Sequence, residues 1–155
     1  MTRSTSIASL IFTLALACAW PYSLAALRGE RRQSMSNEIT IRIGDKVFAA
    51  TLSDNATAAA FKKLLPLSVT MTELNGNEKL FRLPDTMPAR ASTPASIQTG
   101  DLMLYGSSTL VLFYKSFSTT YSYTKIGRID DPAGLEAAVG SGSVAVTFEL
   151  RREKP

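Results

Sequence analysis

The sequence predicts a mainly β fold: a closed antiparallel barrel of eight strands with two short helices. Three observations lead there. From residue 38 onward, apolar residues recur mostly at every second position, the period of a strand with one buried face. Two tight-turn signals, Gly44-Asp45 and Asn75-Gly76, join successive alternating runs into hairpins. Only two helix signals interrupt the strands, too few crossovers for a parallel sheet. An antiparallel barrel with a helix at each mouth satisfies all three.

The elements follow in order. Ile39, Ile41 and Ile43 alternate with Glu38, Thr40 and Arg42, and Gly44-Asp45 turns this strand into KVFAATL. Asp54 or Asn55 caps a short helix running through Leu65, with Ala58, Phe61, Leu64 and Leu65 on one face and Pro66 as its stop. LSVTMTEL then alternates with Leu67, Val69 and Met71 inward, and EKLFRL returns beyond Asn75-Gly76. Residues 84–100 form an unpatterned stretch containing Pro84, Pro88 and Pro94, a loop length often tied to function. DLMLYG follows. The TLVLFY run after it is apolar on both faces, as in a central strand covered on each side. Asp131 as cap, Pro132 at the first helical position and Gly140 as stop mark the second helix, whose apolar face is Leu135, Ala138 and Val139. SVAVTFEL closes the domain with Val144, Val146, Phe148 and Leu150 on one side.

The chain divides into a signal peptide over residues 1–25, a polar linker over 26–37, one domain over 38–150 and a basic tail over 151–155. Arg3 gives the positive start, and Ile7 to Trp20 form an apolar stretch short of the roughly 20 residues a span needs. Small residues around Ala25 suit cleavage, so the domain is expected outside the cytoplasm, periplasmic or secreted. Two alternatives stand beside cleavage: a retained anchor, or a lipoprotein acylated at Cys18, although Ala15 replaces the leucine expected three places earlier. Either would put the protein on a membrane. Met35 is a second candidate start, directly before the patterned region.

Cys18 is the sole cysteine, so the folded part has no thiol and no disulfide, and its stability rests on its core. The formal charge of +4 sits at the ends: residues 38–149 carry 10 Lys and Arg against 11 Asp and Glu, a net of −1. A nucleic-acid binder concentrates basic charge on a folded face, so nucleic acid is not an expected partner. The chain has no histidine, which removes triad hydrolysis and the histidine-ligated metal sites. Ser107 or Ser108 with Lys115 could be drawn as a dyad, but serines after Gly106 read first as turn formers. No cofactor motif is present.

IGDKVFAATL, AFKKLLPLSVTMTELNGNEKLFRLP and the run from Gly100 through SVAVTFEL together resemble the small bacterial cyclophilin-like domain family over residues 38–150. The resemblance implies an eight-stranded barrel capped by two helices, found alone or joined to flavodoxin-like domains in exported proteins. It implies little about activity. True cyclophilins rotate the bond before proline, against a barrier of ~18–20 kcal/mol, with a Phe-His-Arg type motif. Here the histidine is missing, and LFRL sets Phe81 beside Arg82 in the wrong arrangement, so no catalytic residue carries over.

The candidate site is therefore the aromatic stretch after Gly106. Leu110, Leu112 and Phe113 read as core, and Glu73 and Glu78, which could pair with Lys79 across the hairpin, read by default as a solvated turn. Tyr121 and Tyr123 fall on one face of a predicted strand, and tyrosines favour pocket rims because the hydroxyl needs a partner. Tyr105, Tyr114 and Phe117 join them in an expected aromatic groove, with Arg82 or Arg128 as anion partners. The functional expectation is a binding module for a peptide or small molecule. Weak prolyl isomerisation using Arg82 or Arg128, or service to flavodoxin-type redox proteins, are the alternatives.

Overall fold

A computed structural model describes residues 36–152 of the chain. The signal segment, Cys18, Met35, most of the linker and the last three tail residues lie outside the described residues. Among the described residues ten strands and two helices are formed: β1 Glu38–Ile43, β2 Lys46–Leu52, α1 Ala56–Lys63, β3 Leu67–Leu74, β4 Glu78–Arg82, β5 Ser96–Ile97, β6 Asp101–Tyr105, β7 Thr109–Phe113, β8 Phe117–Ser118, β9 Thr124–Ile129, α2 Leu135–Val139 and β10 Val144–Leu150. Eight of them close a barrel in the order β1-β10-β3-β4-β7-β6-β9-β2, and β5 pairs with β8 as a separate ribbon. Every pairing is antiparallel. The expected mainly β, eight-stranded barrel with two helices is what the chain forms.

Alternation fills the barrel. Ile39, Ile41, Ile43, Leu102, Leu104, Leu110, Leu112, Ile126, Ile129, Val146 and Phe148 all reach the same interior and are almost wholly buried. Helix α1 adds Ala58 and Phe61, whose ring meets Phe148 edge-on at 5.4 Å between centroids. Leu135 and Val139 of α2 also join this interior. Because α1 follows the end of β2 and α2 the end of β9, an antiparallel neighbour, the helices sit at opposite mouths. Each wholly buried apolar side chain contributes about 1.5–3 kcal/mol, which is how a thiol-free domain holds together.

Gly44, at φ 59°, opens the two-residue turn that the Ile43–Lys46 pairing requires. Asn55 caps α1, its side chain accepting from the Ala58 amide at 2.8 Å. That helix stops at Lys63 with Leu64 as cap, two residues short of the expected end, and the chain enters β3 through a cis Leu65–Pro66 bond.

The second helix begins later than the sequence suggests. Asp131 accepts from the Ala133 amide at 3.0 Å and so closes a local turn. Gly134 then takes the left-handed conformation, φ 81°, and becomes the N-cap of a helix that starts only at Leu135. Asp-Pro here makes a turn, not a first helical turn. Gly140 does stop the helix, at φ 60°.

Residues 84–100 are not a free loop. Leu83 and Met87 donate to the carbonyls of Ser108 and Ser107 at 2.7 Å each, Thr57 donates its hydroxyl to the Pro88 carbonyl, and Ser92 exchanges two hydrogen bonds with Tyr123. The segment then forms β5 against β8, pairing Ser96 with Ser118 and Ile97 with Phe117. This ribbon lies over the outer face of β4, β7 and β6. Ile97, Met103, Val111, Phe113 and Tyr123 make a second core there, with Leu80 and Phe117 packed against it. TLVLFY is apolar on both faces because Leu110 and Leu112 enter the barrel while Val111 and Phe113 enter this outer layer.

Candidate functional site

The outer layer is open at one end. Register places Arg82 opposite Thr109 and Thr109 opposite Tyr105, and the next row inward is Leu80, Val111 and Met103. Residues paired in register share a face, so both rows line the outside of the barrel. Where the ribbon's cover ends, Leu74, Glu78, Leu80, Tyr105, Val111, Tyr121 and Tyr123 enclose a groove of about 220 Å³, with Asn75 and Thr109 at its sides. Sites for drug-sized molecules hold ~300–1,000 Å³; this one accommodates a single side chain or a small head group.

Its walls are the exposed end of a continuous ladder of rings. Phe117 meets Phe113 at 5.6 Å, Phe113 meets Tyr123 at 5.4 Å, Tyr123 meets Tyr105 at 5.6 Å, and Tyr105 meets Tyr121 at 6.3 Å. Exposure rises along it, from 0% at Phe113 to 7% at Tyr123, 47% at Tyr105 and 63% at Tyr121. The stripe is core at one end and surface at the other. Tyr121 and Tyr123 do not stand on a regular strand, as the alternation suggests, because β9 begins only at Thr124. A single bridge between Tyr123 and Ser92 holds the segment, together with the Thr93–Ser122 hydroxyl pair at 2.9 Å.

Glu78 lines the groove and is 7% exposed. Burial raises its carboxyl above the ordinary range, the nearby Glu73 charge pushes the same way, and only the Asn75 amide, 3.5 Å away, opposes them. Burial likewise raises the Tyr123 phenol, and the Glu78 charge adds to it.

The neighbouring residue, Lys79, points the other way, into the mouth of the barrel closed by α2. It is wholly buried, and its ammonium donates to Glu73 Oε2, to the Gly140 carbonyl at 2.8 Å and to the Gly142 carbonyl at 2.6 Å. Tyr114 donates its hydroxyl to the same Glu73 carboxylate at 2.9 Å and 3.0 Å. Burial and the Glu73 carboxylate together push the Tyr114 phenol up to about 12. For Glu73, burial raises the carboxyl, but Lys79, Tyr114 and the Gly76 amide outweigh it and leave it below the ordinary range. At Glu73 and Lys79 the expected solvated turn is instead a largely buried staple. It joins the β3–β4 hairpin to the loop that follows α2.

The seven candidate residues thus separate. Tyr105, Tyr121 and Tyr123 meet at the groove. Phe117 supports the ladder from behind, and Tyr114 belongs to the staple on the inner face. Arg82 extends the Thr109–Tyr105 row without lining the groove, and Arg128 lies beside Asp101, 3.9 Å from its carboxylate. Among the described residues no cluster of three or more metal-ligating acids, thiols or imidazoles occurs.

With this geometry established, comparison with known proteins decides the family. A model of the cyclophilin-like family matches residues 41–149. The chain belongs to the cyclophilin-like family. A hypothetical protein from Archaeoglobus fulgidus, whose structure was solved in solution, is similar to it at 16% identity and a TM-score of 0.48, covering 75% of this chain and 95% of that one. No curated protein matches.

In this cyclophilin-like domain the groove residues that sequence reasoning passed over are Leu74, Asn75, Glu78, Leu80, Thr109 and Val111. A signal for some of them existed. Period two from Phe113 puts Val111 and Thr109 on its own face and Tyr114 on the opposite one. The pairing of β4 with β7, which brings Leu80 and Glu78 alongside, is a long-range fact that no local pattern carries.

Proposed function

We propose that this cyclophilin-like domain is an exported binding module that holds a peptide segment or small molecule in the groove bounded by Tyr105, Tyr121 and Tyr123. One observation carries the reading. Five large apolar or aromatic side chains among the described residues are substantially exposed, and three of them, Leu74, Tyr105 and Tyr121, line the same groove. Exposed apolar surface gathered in one concavity marks binding sites, whereas scattered exposed residues need no explanation. Export rests on the signal-like first 25 residues.

Protein-observed NMR with mixtures of fragments and short peptides tests the reading. Signals of Tyr105, Tyr121 and Tyr123 should move together, and Tyr121→Ala should weaken binding without unfolding the chain, since that ring is 63% exposed. If these three tyrosines stay still across the whole library, the reading is wrong. Prolyl isomerisation has one feature in its favour, the placement of Arg82 in the Thr109–Tyr105 row. A coupled proline-isomerisation assay decides it: a rate at background, or one unchanged in Arg82→Ala, ends that alternative.

A further inference from the structure

We propose that the groove selects a positively charged alkylammonium group, which sits against the tyrosine rings and over the Glu78 carboxylate. The inference deepens the binding-module reading and rests on it. Three features converge. The walls are Tyr105, Tyr121 and Tyr123, with ring centroids 5.6 Å and 6.3 Å apart along the ladder, and tyrosine faces attract cations through the ring quadrupole. The same groove is lined by the Glu78 carboxylate, 7% exposed, and among the described residues no lysine or arginine forms an ion pair with it. Among the described residues its one side-chain partner is the Asn75 amide, at the long distance of 3.5 Å.

The contrast with the adjacent residue sharpens this. Lys79 has a carboxylate and two carbonyls for its three protons, whereas Glu78 is left with one marginal donor. A carboxylate buried without a cation is costly, and a cation arriving from outside would relieve that cost while losing little of its own hydration to the open side of the groove. The Tyr105 and Tyr121 rings add apolar area for methyl or methylene groups next to the charge. An anionic ligand would meet Glu78 head-on, and an uncharged one would leave it unpaired.

The shared chemistry has two sources, a lysine side chain in a peptide and a free amine. The test compares choline with its uncharged isostere, in which a tert-butyl group replaces the trimethylammonium. It also compares N-acetyl-lysine methylamide with N-acetyl-norleucine methylamide, all by NMR titration of the purified protein. Each charged probe should bind at least about tenfold more tightly than its neutral partner, the worth of a hydrogen bond or contact to a buried charge. Tyr105, Tyr121 and Tyr123 signals should report the binding, and Glu78→Gln should abolish the preference. A stronger response to the lysine derivative points to a peptide, and a stronger response to choline to a free amine; both support the inference. Equal affinity for charged and neutral probes in the wild-type chain overturns it, with no variant required, and so does a preference that survives in Glu78→Gln. Binding of neutral fragments alone would overturn this inference while leaving the binding-module reading standing. Silence from all four probes would also overturn this inference, and the binding-module reading falls only if the fragment and peptide library is silent as well.

Discussion

At the residue scale, two adjacent charges in β4 have opposite fates. Lys79 faces inward and Glu78 outward, as alternation along a strand demands. Lys79 is wholly buried, and Lys79→Met would leave Glu73 without its cation and two carbonyls without their donor. We expect a loss of about 3 kcal/mol in denaturant unfolding, the cost of breaking a buried pair by removing one partner; a loss below about 1 kcal/mol would mean that water replaces the ammonium. Tyr114 gives a pH test of the same staple. Its phenol is raised in the folded state, from an ordinary value of 10.0 to about 12, so its contribution to stability is whole below the ordinary value and is lost as pH rises through about 12. Spectrophotometric titration should therefore show late tyrosine ionisation to which Tyr123 also contributes, and Tyr114→Phe should remove the part near 12. A titration curve unchanged by the substitution would contradict the Tyr114–Glu73 bond. A Glu73–Lys79 pairing across the hairpin could be read beforehand, but its burial could not, since that depends on Tyr114 and on α2 delivering Gly140 and Gly142 to a hairpin some sixty residues earlier in the chain.

At the element scale, most of the strands could be read directly, because the inward set of each is apolar and the outward set polar. β1, β3 and β10 are largely of this kind. Failures occurred where a segment is held by a distant partner. The β5–β8 ribbon is two residues per strand and has no period to detect; Ile97 is buried only because Phe117 and the outer face of β7 come to it. Asp131-Pro132 satisfied the local signature of a helix start, and Gly134 in the left-handed region overrode it. Gly127 records the closure of the barrel. A Cβ there would lie 2.6 Å from the Thr51 carbonyl oxygen and 3.1 Å from the Leu52 Cα, both backbone atoms that cannot swing away. Gly127→Ala should therefore push β9 off β2 and cost about 2 kcal/mol, in the range for overpacking a tight site. Wild-type stability in that variant, measured by urea titration, would mean that β2 and β9 are not so closely paired.

At the scale of the whole molecule, the barrel supplies rigidity and its outer face supplies the site. The interior is filled by side chains from all eight barrel strands and both helices, leaving the outside of β4, β7 and β6 as the face where a second apolar layer is built. That layer is covered by the ribbon at one end and open at the other, so a run of aromatics that begins as core ends as surface. The sequence made the barrel and the aromatic clustering of this run legible, because both are written in local period and composition. Local period already set Tyr114 on the face opposite Phe113, but no local pattern could bring Glu78 to the side of Tyr105, Tyr121 and Tyr123. The most direct test is a crystal structure of the purified protein with a small alkylammonium probe or lysine peptide bound. The account predicts ligand density against the Tyr105 and Tyr121 rings with its charge over Glu78. Density at the barrel mouth beside Tyr114 and Glu73, with the outer groove empty, would contradict it.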